Sequence, residues 1–146
     1  VSASVAKSGE SVETFLVESM VQDTVAELIV GVNRDSQFGP ALVIGAGGIL
    51  VELLNDSCSL LLPTDKETVE RALDSLTVTR MLKGFRGQTA GDINALVDAI
   101  LAIGDYAQAH WDSLLELDIN PLLVLPQGQG VVAADALIIV ANGPNH

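Results

Sequence analysis

Glu116-Leu117-Asp118-Ile119-Asn120-Pro121-Leu122 is answered, across Pro126-Gln127-Gly128-Gln129-Gly130, by Val131-Val132-Ala133-Ala134-Asp135. The linker is turn-forming by composition, so the two runs read as neighbouring strands of a hairpin. If they pair symmetrically about the linker, Asn120 falls opposite Asp135, with Cβ atoms about 5 Å apart. Alternation along the first strand sets Glu116, Asp118 and Asn120 on one face. Leu115, Leu117 and Ile119 take the other face and point into a core. Pro121 steers Asn120 away from helical backbone toward an extended conformation. An amide oxygen and a carboxylate that close suit Mg²⁺, which commonly takes one or two protein groups and leaves its other positions to water and phosphates. On residue types alone a second reading stays open: Asn-Pro begins a turn and the acids are simply solvated.

The chain before this hairpin reads as a strand meander followed by helices. Residues 1–12 are small and polar and suit a flexible arm or linker. Residues 14–21 are strand-like, and Gln22-Asp23-Thr24 breaks them. Residues 25–33 alternate, with Ala26, Leu28, Val30 and Val32 on one face and Val25, Glu27, Ile29 and Gly31 on the other. After a turn-rich stretch, residues 41–45 make a third strand. Three strands with short links suggest an antiparallel meander. Residues 50–54 and 58–62 are further short strands. Thr64 with Glu67 forms a capping box for a helix carrying Val69, Leu73 and Leu76 on one side. Residues 77–82 form a short helix and residues 83–88 a glycine-punctuated loop. Asp92 caps the longest helix, residues 93–111, with Leu96, Ile100, Ile103 and Ala107 at helical spacing. His110 suits the negative end of that helix and reads as structural. Residues 141–146 are a tail. The expected architecture is one α+β domain over residues 13–140, a mainly antiparallel sheet with two or three helices packed on it.

Composition narrows the function classes. Of 146 residues, 49% are hydrophobic, 18% charged and 3% aromatic, so the core must be built from Val, Leu, Ile and Ala. The longest apolar run, residues 41–54, is about 14 residues and is interrupted by Glu52. A membrane span needs ~20. No basic segment precedes an apolar one at the start, so the cytoplasm is the expected compartment. A net charge of −12 repels nucleic acid and acidic membrane surfaces, which are not expected as partners. It leaves nucleotide binding open, because backbone N–H groups and a metal hold phosphate locally. The single Cys58 excludes an internal disulfide and a cysteine zinc site. His110 and His146 are too few for a histidine metal cluster. The high apolar content also fits a piece of a larger protein whose surface meets another domain or a further copy.

Several candidate groups carry two readings. Gly45-Ala46-Gly47-Gly48 presents backbone N–H groups to phosphate, or makes a tight bend between strands. It lacks the ending of a P-loop and the spacing of a dinucleotide fingerprint. Glu27, a carboxylate on an otherwise apolar face, must stay wet or find donors: a sugar hydroxyl pair, or an ordinary Arg or Lys. Arg34 and Asp35 pair across a turn. Arg86, between two glycines, clamps an anionic group or is an exposed loop residue.

Six segments occur together in this order in one family: Phe15-Leu-Val-Glu-Ser-Met-Val21, Ala26-Glu-Leu-Ile-Val-Gly-Val-Asn-Arg-Asp35, Phe38-Gly-Pro40, Gly45-Ala-Gly-Gly-Ile-Leu-Val-Glu52, Leu82-Lys-Gly-Phe-Arg-Gly87 and Glu116-Leu-Asp-Ile-Asn-Pro-Leu122. The chain resembles the ATP-grasp module of the NDP-forming acyl-CoA synthetases, which include ADP-forming acetyl-CoA synthetase and are similar to the β subunit of succinyl-CoA synthetase. The resemblance runs from about residue 13 to 137. It implies ATP and Mg²⁺ as cofactors. It implies that the segment from Glu18 to Val21 contacts adenine through backbone, that Glu27 lies near the ribose, and that Gly47 and Gly48 lie beside the nucleotide. It implies that Asn120 and Asp135 ligate Mg²⁺ with Asp118 beside them, and it admits Arg86 as an anion contact. The implied reaction joins a carboxylic acid to CoA while ATP becomes ADP and phosphate, through an acyl phosphate and a phosphohistidine. The first ATP-grasp lobe, the CoA-binding domain and the relay histidines find no matching segment. The chain therefore resembles the C-terminal lobe and is expected to be inactive without those parts, supplied by the same chain or an α subunit. Two other readings share the fold: a nucleotide-sensing module attached to an acetyltransferase, and a degenerate, non-catalytic interaction domain.

Overall fold

A computed structural model describes residues 17–35, 37–48 and 56–141. The elements in chain order are β1 (Ala26–Asp35), β2 (Gly39–Ala46), β3 (Ser57–Leu61), α1 (Lys66–Ser75), α2 (Thr79–Leu82), α3 (Ile93–Ala109), β4 (Leu114–Val124), β5 (Val131–Ala133) and β6 (Ala136–Val140). The strands form one antiparallel sheet in the order β3-β2-β1-β4-β5, with β6 continuing along the same edge of β4 as β5.

Period-2 patterning decides which way the sheet faces. Ala26, Leu28, Val30 and Val32 of β1 are all buried, together with Leu42 and Ile44 of β2. They share one core with Val69 and Leu73 of α1, Leu82 of α2, and Leu96, Val97, Ile100 and Ala107 of α3. The helices thus lie on one face, as expected of an α+β layer pair. A Cβ added at Gly104 would sit 3.0 Å from Leu62 Cδ2, so α3 lies as close to the sheet side as its residues permit.

The helix caps are partly as expected. Asp92 caps α3 by accepting from the Ala95 N–H, and the helix ends at Ala109. For α1 the cap is Asp65, which accepts from the Thr68 N–H at 2.8 Å, and not Thr64. An ionised carboxylate outcompetes a hydroxyl at a helix N-terminus. Thr64 Oγ1 is left buried without a hydrogen-bond partner.

Two other expectations give way. Residues 17–22 contain no strand, and Val17 and Met20 are almost fully exposed. β1 is paired on both edges, by β2 and β4, so it offers this segment no hydrogen-bond partner. Arg34 and Asp35 do not pair. Arg34 stacks 4.2 Å from the centre of the Trp111 ring and donates to its carbonyl, while Asp35 accepts from the N–H groups of Gln37 and Phe38. The expected strand at 50–54, the start of the one at 14–21, the arm at 1–12 and most of the tail lie outside the described residues.

Candidate functional site

The hairpin that closes the chain keeps a single register. Val124 faces Val131, Leu123 faces Val132 and Leu122 faces Ala133. Beyond β5 the Ala134 N–H donates to the Pro121 carbonyl and the Asn120 N–H to the Asp135 carbonyl, at 3.0 and 3.1 Å. Ile119 then faces Ala136 and the pairing continues with β6. Asn120 and Asp135 therefore stand opposite one another, both exposed, where the returning strand is interrupted between β5 and β6.

That point is also a bulge in β4. Leu28 of β1 pairs with Leu122, but Val30 pairs with Ile119, so Ile29 alone opposes both Asn120 and Pro121. The extra residue changes the phase of β4. It lets Leu117 and Ile119 on one side of it, and Leu122 and Val124 on the other, all reach the core. A second irregularity between Leu114 and Glu116 leaves Leu115 as the unmatched residue. Leu114 is buried and Leu115 is 52% exposed, which corrects the expectation that Leu115 points inward.

The face of the sheet away from the helices carries most of the candidate residues in rows. One row runs Ser59, Val43, Gly31, Asp118 across β3, β2, β1 and β4. The next runs Ser57, Gly45, Ile29, and then Asn120 with Asp135. A third begins with Gly47, whose N–H donates to the Glu27 carbonyl at 2.7 Å. Successive rows on one face are about 7 Å apart. Asp118 leans over its neighbour, since a Cβ built on Gly31 would lie 3.3 Å from Asp118 Oδ1.

Glu27, Gly47 and Gly48 meet in a cavity of about 350 Å³, whose walls include Thr24, Val78 and Met81. Glu27 is exposed, and among the described residues it has no basic partner within ion-pair distance. Its carboxylate lies beside Gly48, 3.2 Å from where a Cβ there would be. Gly47 and Gly48 leave the end of β2. Met81 also lines a second hollow of about 510 Å³ with Asp23, Gln88 and Thr89.

Asp56 is a residue that the sequence reading missed. Its carboxylate accepts from the N–H groups of Thr77 and Val78 at 2.7 and 2.9 Å, and its carbonyl accepts from the Ala46 N–H. It ties the end of β2 to the Val78–Met81 wall across more than twenty residues of chain. No local pattern signals such a bond.

The remaining candidates stand apart. Glu18 and Val21 lie in the irregular segment ahead of β1, Glu18 exposed and Val21 half-buried. Arg86 sits on the loop after α2 with a positive φ of 53°, its guanidinium 5.1 Å from the Phe85 ring centre, and does not line the 350 Å³ cavity. Burial, with the nearby Asp56 charge, pushes the Cys58 thiol up from its ordinary value, which makes it a poor nucleophile. His110 stacks on Tyr106 and its Nδ1 lies 2.9 Å from the Tyr106 carbonyl, a structural role.

The donors present fit a hard divalent cation. Among the described residues no cluster of three or more His, Cys, Asp or Glu could hold a metal. An ion here would use the Asn120 amide and the Asp135 carboxylate, with phosphate and water for the rest, as suits Mg²⁺. No described helix is long and apolar enough to cross a membrane.

Residues 2–140 match the family described as ATP-grasp domain. The chain is 34% identical over 128 residues to an ADP-forming acetate–CoA ligase of Methanocaldococcus jannaschii, covering 88% of this chain and 18% of that protein. It is 36% identical over 114 residues to the β subunit of the ADP-forming acetate–CoA ligase II of Pyrococcus furiosus, covering 78% of this chain and 48% of the subunit. Among solved structures it is similar to a dinucleotide-forming acetyl-coenzyme A synthetase 1 of Ca. Korarchaeum cryptofilum in complex with coenzyme A and Mg-AMPPCP, with a TM-score of 0.72, 34% identity, and 80% of this chain and 53% of that one covered. The chain thus spans about half, or less, of the length of these relatives.

Proposed function

Because the chain belongs to the ATP-grasp family, in the group found in ADP-forming acyl-CoA synthetases, we propose that it forms one half of a magnesium–nucleotide site in an acid–CoA ligase. The observation that carries this is the single open face on which Glu27, Gly47 and Gly48 lie one row from Asn120 and Asp135. Glu27 accepts from ribose hydroxyls, which suits a wet carboxylate with no basic partner among the described residues. The Gly47–Gly48 backbone lets the sugar and phosphates approach closely. The segment from Glu18 to Val21 offers backbone groups to the base, and Arg86, on the loop after α2, meets an anionic group brought by another domain.

Asn120 and Asp135 hold the ion, and Asp118 orients the water or amide beside it. Mg²⁺ bound there neutralises phosphate charge and helps align the γ-phosphoryl for in-line transfer. The relatives' names support ATP plus a carboxylic acid and CoA giving acyl-CoA, ADP and phosphate. In this reading an acyl phosphate and a phosphohistidine link the steps, and the first ATP-grasp lobe and CoA-binding domain or α subunit supply what this lobe lacks. By itself the lobe binds nucleotide weakly and does not turn over.

Calorimetric titration of Mg-ADP into the wild-type chain and Asn120→Ala tests the site. Weaker binding by the variant, roughly tenfold or more, is expected. Equal binding by the two proteins removes the metal assignment.

A further inference from the structure

The register that brings Asn120 opposite Asp135 is set at the turn five residue pairs away, and one carboxylate holds that turn. Asp92 Oδ2 accepts from the N–H groups of both Gly128 and Gly130, each at 2.9 Å, while its Oδ1 accepts from the Ala95 N–H at 3.2 Å. Gly128 and Gly130 have φ of 83° and 84°, left-handed values that let alternate N–H groups converge on one oxygen. Backbone bonds flank the contact: Asp92 N–H to the Leu125 carbonyl, Gln127 N–H to the Ala90 carbonyl, and Leu125 N–H to the Gly130 carbonyl that closes the turn. Among the described residues no other side chain bonds to this turn.

A capping residue needs only one of these bonds. The other two do nothing for α3. They fix the phase of a glycine-rich turn whose own sequence tolerates several. A slip of one residue would turn Asp135 to the opposite face. The returning strand offers little correction of its own, since it is interrupted at Asp135 and β6 beyond is exposed throughout, with no buried face to penalise a slip.

We propose that Asp92 is a positioning residue for the ion-holding pair: through Gly128 and Gly130 it sets the hairpin register that keeps Asn120 and Asp135 together. The proposal rests on the reading of that pair given above. The three N–H donors, Gly130 first, also hold the Asp92 carboxyl below its ordinary range, so it stays a full acceptor at neutral pH.

Asp92→Ser separates the two roles. Serine still caps a helix, but its single short hydroxyl cannot reach both glycines. Asp92→Asn, which keeps the side chain's shape, carries the same test if the serine variant melts below the assay temperature. Two readouts are taken on the whole chain: Mn²⁺ binding in the presence of ADP by electron paramagnetic resonance, and amide hydrogen exchange. In the variant, exchange should speed up at Asn120 and Ala134 while Leu96 in α3 stays protected. Mn²⁺–ADP affinity should fall roughly tenfold or more, the usual effect of removing an outer partner of a metal ligand. Wild-type affinity in Asp92→Ser, alongside lost binding in Asn120→Ala, overturns the positioning role and leaves the site reading intact. Wild-type affinity in Asn120→Ala overturns both.

Discussion

Asp65 and Asp92 each cap a helix, and the bonds that they accept there give their carboxyls a pH signature. Asp65 accepts from the hydroxyl and then the N–H of Thr68, which lowers its pKa below the ordinary carboxylate value. A depressed folded-state pKa contributes stability that is present above the unfolded value, about 3.9. That stability is lost as pH falls through the folded value. Asp65→Asn keeps a capping oxygen and removes the titration. The melting-temperature gap between wild type and this variant should therefore be constant from about pH 5 upward and close below about pH 4. A gap that persists at the acid end would show that the charge contributes nothing. The capping aspartate was legible only in part. Thr64 and Glu67 form a recognisable pattern, but which of two adjacent side chains caps depends on where the chain enters the helix. Leu61–Pro63 and the packing of Leu62 against α3 set that entry.

At the scale of elements, the end of β2 meets the start of β1 with no room for a side chain. A Cβ added at Gly47 would lie 2.9 Å from the Glu27 carbonyl carbon and 3.0 Å from its Cβ and oxygen. These are mostly backbone atoms and cannot swing aside. Gly47→Ala should cost about 1–3 kcal/mol, the range for overpacking, as read from urea denaturation. It should also weaken Mg-ADP binding, because the strain falls on the residue that carries the cavity's carboxylate. An unchanged midpoint together with unchanged binding would mean that the strands separate here without penalty. The alternation of β1 was readable from residue types because its buried face is continuous. The two bulges of β4 were not. They arise where one strand must satisfy β1 on one edge and β5 and β6 on the other, and strict alternation through Asn120-Pro121 would have put Leu122 on the wrong face.

At the scale of the whole molecule the outstanding feature, among the described residues, is an apolar sheet edge. β6 is exposed throughout, with Leu137, Ile138, Ile139 and Val140 between 39% and 50% accessible and no charge or proline within it. Such an edge invites pairing with other chains. Ile139 stands directly opposite Glu116. Ile139→Lys should place a cation across from an anion, leave stability within about 0.5 kcal/mol, and raise the concentration at which light scattering reports association. Loss of several kcal/mol would show that Ile139 is packed more tightly than its exposure indicates.

From residue types alone came the α+β layering, the two long helices, the buried face of β1 and the pairing of Asn120 with Asp135. The first three follow from short-range periodicity and the last from a turn-forming composition between two alternating runs, local properties of a chain that place the turn without fixing its phase. The cavity came only with the fold. It is assembled from Thr24 and Glu27 before and within β1, Gly47 and Gly48 after β2, and Val78 and Met81 around α2, and is braced by Asp56. The turn clamp of Asp92 reaches 36 and 38 residues along the chain. Bonds of that span are chosen by which surfaces bury the most apolar area together, and no window of sequence contains both partners.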